Sequence, residues 1–423
     1  MLQLIRNALE QENVAVWQIR KTETRRAELY FIKKKLDIPR LAVMNEYQVS
    51  VYRDFEENGQ KYRGMSVMYA EEGQTEKQIR EKVRNAYFAA QYVKNPYYDL
   101  PDPVREAKQE SKSDLAGRDL QETANAFADA VLDVPDDGEA FVNSLEIFAI
   151  RSEVTLVSSA GTNVCYETNK VEGEFVTQCV RPVDVEQYRQ FAYDSFDTQA
   201  LKDKVASAVA DVRMRANATD MPKTGKHDIL LTGENLKIFF EYYLIRANAS
   251  VIFPGYSTWK TGDRVQEAGT GEKLNIDLLA TEPYSVDGVP MKDMVLTEDG
   301  VLRNIWGATR FMRYLNETPT GSYEKIRVKN GTVPFEQMKT EGTLETVSFS
   351  DFQMDYFTGN FGGEMRLALM KKDGKDIPLY GGSVNAKISD CADRLVFSTE
   401  RYEDSGYSGP YAVLIPGVAV AGE

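Results

Sequence analysis

The sequence predicts an α+β protein in three segments. Residues 1–100 read as a small N-terminal unit of helices and antiparallel sheet, 101–220 as an α+β middle segment, and 221–423 as a large, mostly antiparallel β region, a sandwich or partly closed barrel. Three observations carry this. The chain has 423 residues, more than the roughly 250–300 that one hydrophobic core sustains. Two stretches, 95–103 with three prolines and 217–225 with Pro222 and Gly225, interrupt the apolar periodicity as linkers do. Beyond residue 255, turn pairs such as Asp287-Gly288, Asp299-Gly300, Asn330-Gly331, Gly362-Gly363, Asp373-Gly374 and Gly381-Gly382 recur between short apolar runs, the pattern of an all-β region.

Leu2, Ile5 and Leu9 mark a first amphipathic helix. Runs at 27–32, 47–52 and 64–69 read as strands, with Asn58-Gly59 turning the chain between the second and third. Thr75 and Gln78 form a capping box ahead of a helix whose Ile79, Val83, Ala86, Tyr87 and Ala90 share one face. In the middle segment Leu120, Ala124, Phe127 and Val131 define a helix. Residues 139–180 read as a meander punctuated by Gly161 and Gly173, and Leu201, Val205, Ala208 and Val212 stripe a helix over 198–216. The last region opens with a strand at 228–231 and a helix over 234–247, whose apolar face is Leu236, Phe239, Phe240 and Tyr243. Its many strands offer edges that must be covered, so an oligomer interface is expected there.

Composition narrows the chemistry. A balance of 51 basic against 65 acidic residues, net −14, opposes a general grip on nucleic acid, which needs a basic face. One histidine, His227, excludes any site that takes two imidazoles from one chain. Three cysteines, Cys165, Cys179 and Cys391, imply neither a disulfide framework nor a four-thiolate zinc site. No leader-like or membrane-spanning run is apparent, so a cytoplasmic, reducing location is expected. Phosphate-cradling loops and the serine-hydrolase elbow are missing from the sequence, and His227, beginning a strand, has no visible nucleophile to serve. Tyr87, Tyr92, Tyr97, Tyr98, Tyr242 and Tyr243 are candidate linings of a groove for an extended peptide, weighed against ordinary core packing.

Several stretches resemble the TldD/PmbA (TldE) family, once called modulators of DNA gyrase. They are residues 225–235 at the strand-to-helix transition, Asp287-Gly288 with 300–304 and 308–310, Thr320-Gly321 with 328–331, and above all 357–364 followed by Asp373-Gly374 and 380–385. Residues 145–152 carry a further, upstream likeness. The resemblance implies a metallopeptidase family with two halves. TldD-like members carry H-E-x-x-x-H on the first helix of the C-terminal region and a cysteine near the C-terminus; these hold zinc, and the glutamate acts as base. Aligned on Glu241, the two ligand positions here are Phe240 and Ile245, and the tail over 402–411 has no cysteine.

The resemblance therefore implies the PmbA/TldE-like half: no catalytic residue, no metal and no cofactor of its own. The implied function is that of a non-catalytic subunit beside a TldD-like metallopeptidase (heterodimer) or itself (homodimer), acting on peptides or unfolded protein, with no nucleic acid or membrane as partner. A homo-oligomeric peptide-binding protein without a peptidase partner, or a hydrolase with an unrecognised site, is the alternative.

Overall fold

A computed structural model describes residues 1–404 and 406–423. Helix α1 (Leu2–Gln11) buries Ile5, Ala8 and Leu9. Strands β1 (Val16–Ile32), β2 (Lys35–Glu57) and β3 (Gln60–Ala70) follow, the first two far longer than the short runs legible in sequence. The extra length of β1 is polar: over residues 20–26 Lys21 and Arg25 pair with Glu23 along one face of the strand, so strand there carries no apolar alternation. Asn58 and Gly59, at φ 53° and 76°, make the left-handed two-residue turn that this dipeptide favours. Helix α2 (Glu76–Ala90) carries the complete Thr75/Gln78 capping box.

Helix α3 (Leu120–Leu132) is capped by Asp119. It precedes β4 (Ala140–Ser158), β5 (Asn163–Cys179), β6 (Val185–Tyr193) and helix α4 (Thr198–Asn217). Gly161 has a left-handed φ of 105° and turns the chain as expected. Gly173 does not. It lies inside β5, where a Cβ would stand 2.0 Å from the Glu146 carbonyl oxygen and 2.7 Å from the Phe191 ring, so glycine there permits close strand approach instead of a turn.

These six strands form one antiparallel sheet in the order β3-β2-β1-β4-β5-β6. Gln18–Ile32 of β1 pair with 144–158 of β4, so the linker at 95–103 joins two halves of a single sheet. Paired residues share a face. By that rule Ile19, Ala27, Leu29 and Phe31 all point to the side covered by helices, α1 and α2 over one end and α3 and α4 over the other. At the α1/α2 end the opposite face meets the C-terminal region, where Arg20 pairs with Glu282 and Tyr166 donates to the same carboxylate at 2.7 Å.

The C-terminal region starts with β7 (Gly225–Thr232) and helix α5 (Asn235–Arg246). Strands β8 (Ile276–Leu279), β9 (Met294–Glu298), β10 (Val301–Leu302) and β11 (Lys325–Val328) come next. They are followed by β12 (Leu344–Met354), β13 (Asn360–Lys372), β14 (Lys375–Leu379), β15 (Ser383–Lys387), β16 (Val396–Phe397), β17 (Arg401–Asp404), β18 (Tyr407–Pro410) and β19 (Ala412–Ala421). Asp299-Gly300 and Asp373-Gly374 both adopt left-handed hairpin turns. The pairings β12-β7-β19-β15-β13 return to β12 and close a five-stranded barrel-like sheet. A second sheet runs β10-β9-β8-β11-β18-β17. One core joins both sheets to the inner face of α5: Leu236, Phe239, Phe240 and Tyr243 pack with Ile229, Ile326, Phe361, Phe397 and Tyr407. The fold is thus the expected α+β type with a mostly antiparallel, partly closed β region. Closure consumes several of the edges that pointed to this region as an interface. Among the described residues no helix is long and apolar enough to cross a membrane.

Candidate functional site

Helix α5 places Phe240, Glu241 and Ile245, the positions that the resemblance aligned with a metal motif, in three different surroundings. Phe240 is fully buried. Its ring packs edge-on against Phe239 and Phe397 and stacks on Tyr407 at a centroid distance of 6.1 Å. Glu241, one residue on, points elsewhere: its carboxylate accepts from the Tyr356 hydroxyl at 3.0 Å and sits 3.7 Å from Lys237 Nζ. Ile245 is partly buried, and five residues along a helix turn it about 140° from Phe240. Position 240 does meet the tail, at Tyr407, but it meets it as an aromatic contact. The nearest described thiol in sequence, Cys391, is buried, with its Sγ 3.6 Å from the carbonyls of Lys387 and Ile388. Burial pushes this thiol up to about 12, so it is a protonated core group. An aromatic ring, an aliphatic side chain and a protonated thiol do not fit a zinc ion. Among the described residues no cluster of three or more His, Cys, Asp or Glu is placed to hold a metal. Ser405, within the tail, lies outside the described residues.

The tyrosines do not form the open groove considered from sequence. Tyr243 is 1% exposed because it continues the Leu236–Phe239–Phe240 stripe, and its hydroxyl is buried with no hydrogen-bond partner among the described residues. Tyr242 packs against Tyr243 and Trp259, with Arg246 over both Tyr242 and Trp259, a closed aromatic cluster. In the N-terminal segment Tyr98 is buried, Tyr92 and Tyr97 are exposed, and Tyr87 lies under Arg53. His227, in β7, bonds through its ring to the Lys223 carbonyl at 2.8 Å, a local tie.

A feature with little trace in the sequence is a cavity of about 1100 Å³ between the middle segment and the C-terminal region. One wall comes from β6 and α4: Arg189, Tyr193, Lys204 and Asp211. The other comes from the first turn of α5 and the facing strands: Lys237, Lys339, Glu345 and Tyr402. The lining is charged and largely paired. Arg189 forms ion pairs with Glu234 and, at 3.9 Å, with Asp211, and donates to the Val347 carbonyl at 3.3 Å. Lys204 pairs with Asp404 and donates to the Gln190 carbonyl at 2.6 Å. Lys339 Nζ lies 3.1 Å from Glu345. Burial, reinforced by the nearby Glu345 charge and opposed by Arg189, raises the Asp211 carboxyl to about 6. Burial raises Glu345 as well, against Lys339. A space lined by both charge signs, with acids that take up a proton readily, can hold a polar, extended ligand. Among the described residues that line it, no serine or threonine hydroxyl is hydrogen-bonded to a side-chain base. The signal in sequence was slight: Lys204 and Asp211 sit seven apart on α4 and therefore share a face beside its apolar stripe.

A closed, barrel-like β sheet packed on helix α5, joined to a helix-covered antiparallel sheet, defines the fold class. Residues 224–422 match the family model for the PmbA/TldA metallopeptidase C-terminal domain, so this region is a domain of that type. In fold, it is similar over almost its whole length to TldE from Thermococcus kodakarensis (13% identity, TM-score 0.76, covering 99% of this chain and 100% of that one). It is equally similar to a candidate modulator of a DNA gyrase from Thermotoga maritima (13%, TM-score 0.77, 99% and 100%). A third likeness is to a candidate modulator of DNA gyrase from Bacteroides thetaiotaomicron (14%, TM-score 0.75, 100% and 99%). No curated protein matches the chain in sequence.

Proposed function

We propose that this chain is a non-catalytic, PmbA/TldE-like subunit that works beside a TldD-type metallopeptidase in the proteolysis or maturation of peptides and unfolded segments. The observation that carries the reading is the state of α5. The two ligand positions implied by the family motif are Phe240, sealed in the core, and Ile245, turned to another side, while Glu241 is engaged by Tyr356. The charged cavity beside the first turn of α5 supports a holding role, since it offers both charge signs to a polar chain without a reacting group.

The test is a search of the source genome for an H-E-x-x-x-H subunit, followed by reconstitution with it; absence of such a gene would count against the proposal. The expected result has three parts. This chain, purified alone, carries well under one zinc per molecule by metal analysis. Alone it cleaves no peptide, and added to the metallopeptidase it raises or redirects chelator-sensitive cleavage. One tightly bound zinc per chain together with cleavage by this chain alone would refute the proposal.

A further inference from the structure

The cavity between the middle segment and the C-terminal region is short of positive charge. Among the described residues, ten carboxylates and seven cations line it. Several of the cations are shared. Lys325 pairs with both Asp194 and Glu403, and Lys339 with Glu345, Glu336 and Asp376. The shortage is sharpest in one corner, where α4 faces β12. Asp211 has a single cation, Arg189 at 3.9 Å, which also pairs with Glu234. The Glu345 side chain is 9% exposed, and its Oε2 accepts no hydrogen bond: Lys339 Nζ stands 3.1 Å away but out of line for one. Asp211 feels the Glu345 charge, and the Tyr411 hydroxyl feels both. Two buried carboxyls that depend on shared cations are costly to keep ionised. The rest of the corner is apolar. Met214 lies one turn beyond Asp211, Leu369 opposes Glu345 across β12 and β13, and the Phe335 and Tyr411 rings meet edge-on at 4.9 Å. Lys339 already lays its ammonium over the Phe335 ring, 4.4 Å from the centroid, so the aromatic surface here accepts a cation.

We infer that this corner is a subsite for an organic cation on an aliphatic stem: the ammonium or guanidinium of a lysine or arginine in a peptide segment, or of a free polyamine. The inference deepens the holding role given to the cavity above and rests on that reading for the ligand's being a peptide. Three features select the class. An anion would meet the excess of carboxylates and the Glu345 oxygen that lacks a hydrogen bond. A metal ion needs several donors converging on one point, and among the described residues no three His, Cys, Asp or Glu side chains are so placed. A long basic side chain fits both halves of the corner, with its charged head between Asp211 and Glu345 and its methylenes along Met214 and Leu369.

The experiment titrates the full-length chain, alone, with three probes by calorimetry: an unstructured peptide containing lysines, the same peptide with each lysine replaced by glutamate, and spermidine. The unmodified chain is compared with Asp211→Asn/Glu345→Gln. A control, Glu10→Gln/Asp129→Asn, removes the same charge from exposed sites elsewhere and reports the general pull of a chain at net −14. The expected result is one-to-one binding of the lysine peptide and at least about tenfold weaker binding of the glutamate peptide. The cavity variant should also bind the lysine peptide at least about tenfold more weakly, with unchanged circular dichroism, and the control should stay within about twofold. A second reading needs no variant. Asp211, faced by Arg189, Glu234, Glu345, Lys339 and Tyr411, has its carboxyl raised to about 6 by burial, and a bound cation favours the ionised form. Binding should therefore weaken about tenfold between pH 7.5 and pH 5, where roughly nine-tenths of that carboxyl is protonated. Binding of spermidine in preference to the lysine peptide, lost in the cavity variant, would keep the cation subsite and assign it to a polyamine, leaving the holding role without this support. If the glutamate peptide binds as tightly as the lysine peptide, if the cavity variant behaves like the control, or if no probe binds, the inference falls, while the subunit reading stands on its own reconstitution. If reconstitution fails but the corner still selects the cation, the subunit reading falls alone.

Discussion

Replacing Asp211 by asparagine should remove a pH dependence of stability that the cavity wall imposes. Asp211 sits on α4 with little solvent access and faces Arg189 at 3.9 Å and Glu345 across the cavity. Burial dominates, so its carboxyl is raised from 3.8 to about 6. The folded state therefore holds this proton more tightly than the unfolded chain does. Stability contributed by the protonated group is complete below about pH 4 and is lost as pH rises to about 6, a total of roughly 3 kcal/mol, of which about 2 kcal/mol lies above pH 4.5. Glu345, raised for the same reason, retains its own share of the slope in both proteins. Urea unfolding at intervals from pH 4.5 to 7.5 reads the difference. Asp211→Asn should gain about 2 kcal/mol on the unmodified chain across that range. Parallel pH profiles for the two proteins would mean that water reaches Asp211 freely and that the wall is not the desolvated surface described here.

Phe240→Ala empties a fully buried site between Phe239, Phe397 and Tyr407 and should cost about 3–5 kcal/mol in urea unfolding; a loss below about 1 kcal/mol would show that the ring is not part of the core. Gly173→Ala forces a methyl group onto the Glu146 carbonyl oxygen, so the β4–β5 pairing must give way. Thermal unfolding should then move down by many degrees, and an unchanged midpoint would contradict the close approach of the two strands.

Local chemistry made part of this legible in advance. Asn58-Gly59, Asp299-Gly300 and Asp373-Gly374 turn where expected because both residues of each pair tolerate left-handed backbone. The Thr75 cap and the α5 stripe are likewise properties of adjacent residues. What stayed hidden depends on distant pairing. Residues 20–26 and 35–46 lie outside the runs that read as strands, yet they are strand because each has a partner across the sheet. Gly173 resembles a turn residue until Glu146 is placed against it. Tyr243 looked available for a ligand because its hydroxyl suggests a surface, whereas its place on the buried stripe decides the matter. The cavity collects Arg189, Asp211, Glu345 and Lys339 from four separate stretches of chain, and no spacing rule links them.

The closed sheet also sets a timetable for biosynthesis. Strand β7, which opens the C-terminal region, lies between β12 and β19, and β19 in turn bridges β7 and β15. A ribosome must deliver residues 412–421 before the ring can close, so β7 and the apolar face of α5 wait through nearly two hundred residues of translation without their final neighbours. The N-terminal sheet, whose strands end at Tyr193, can assemble during that interval, in keeping with domain-by-domain folding on the ribosome. The waiting segment, rich in leucine and phenylalanine, is then the part of the nascent chain most in need of shielding by chaperones.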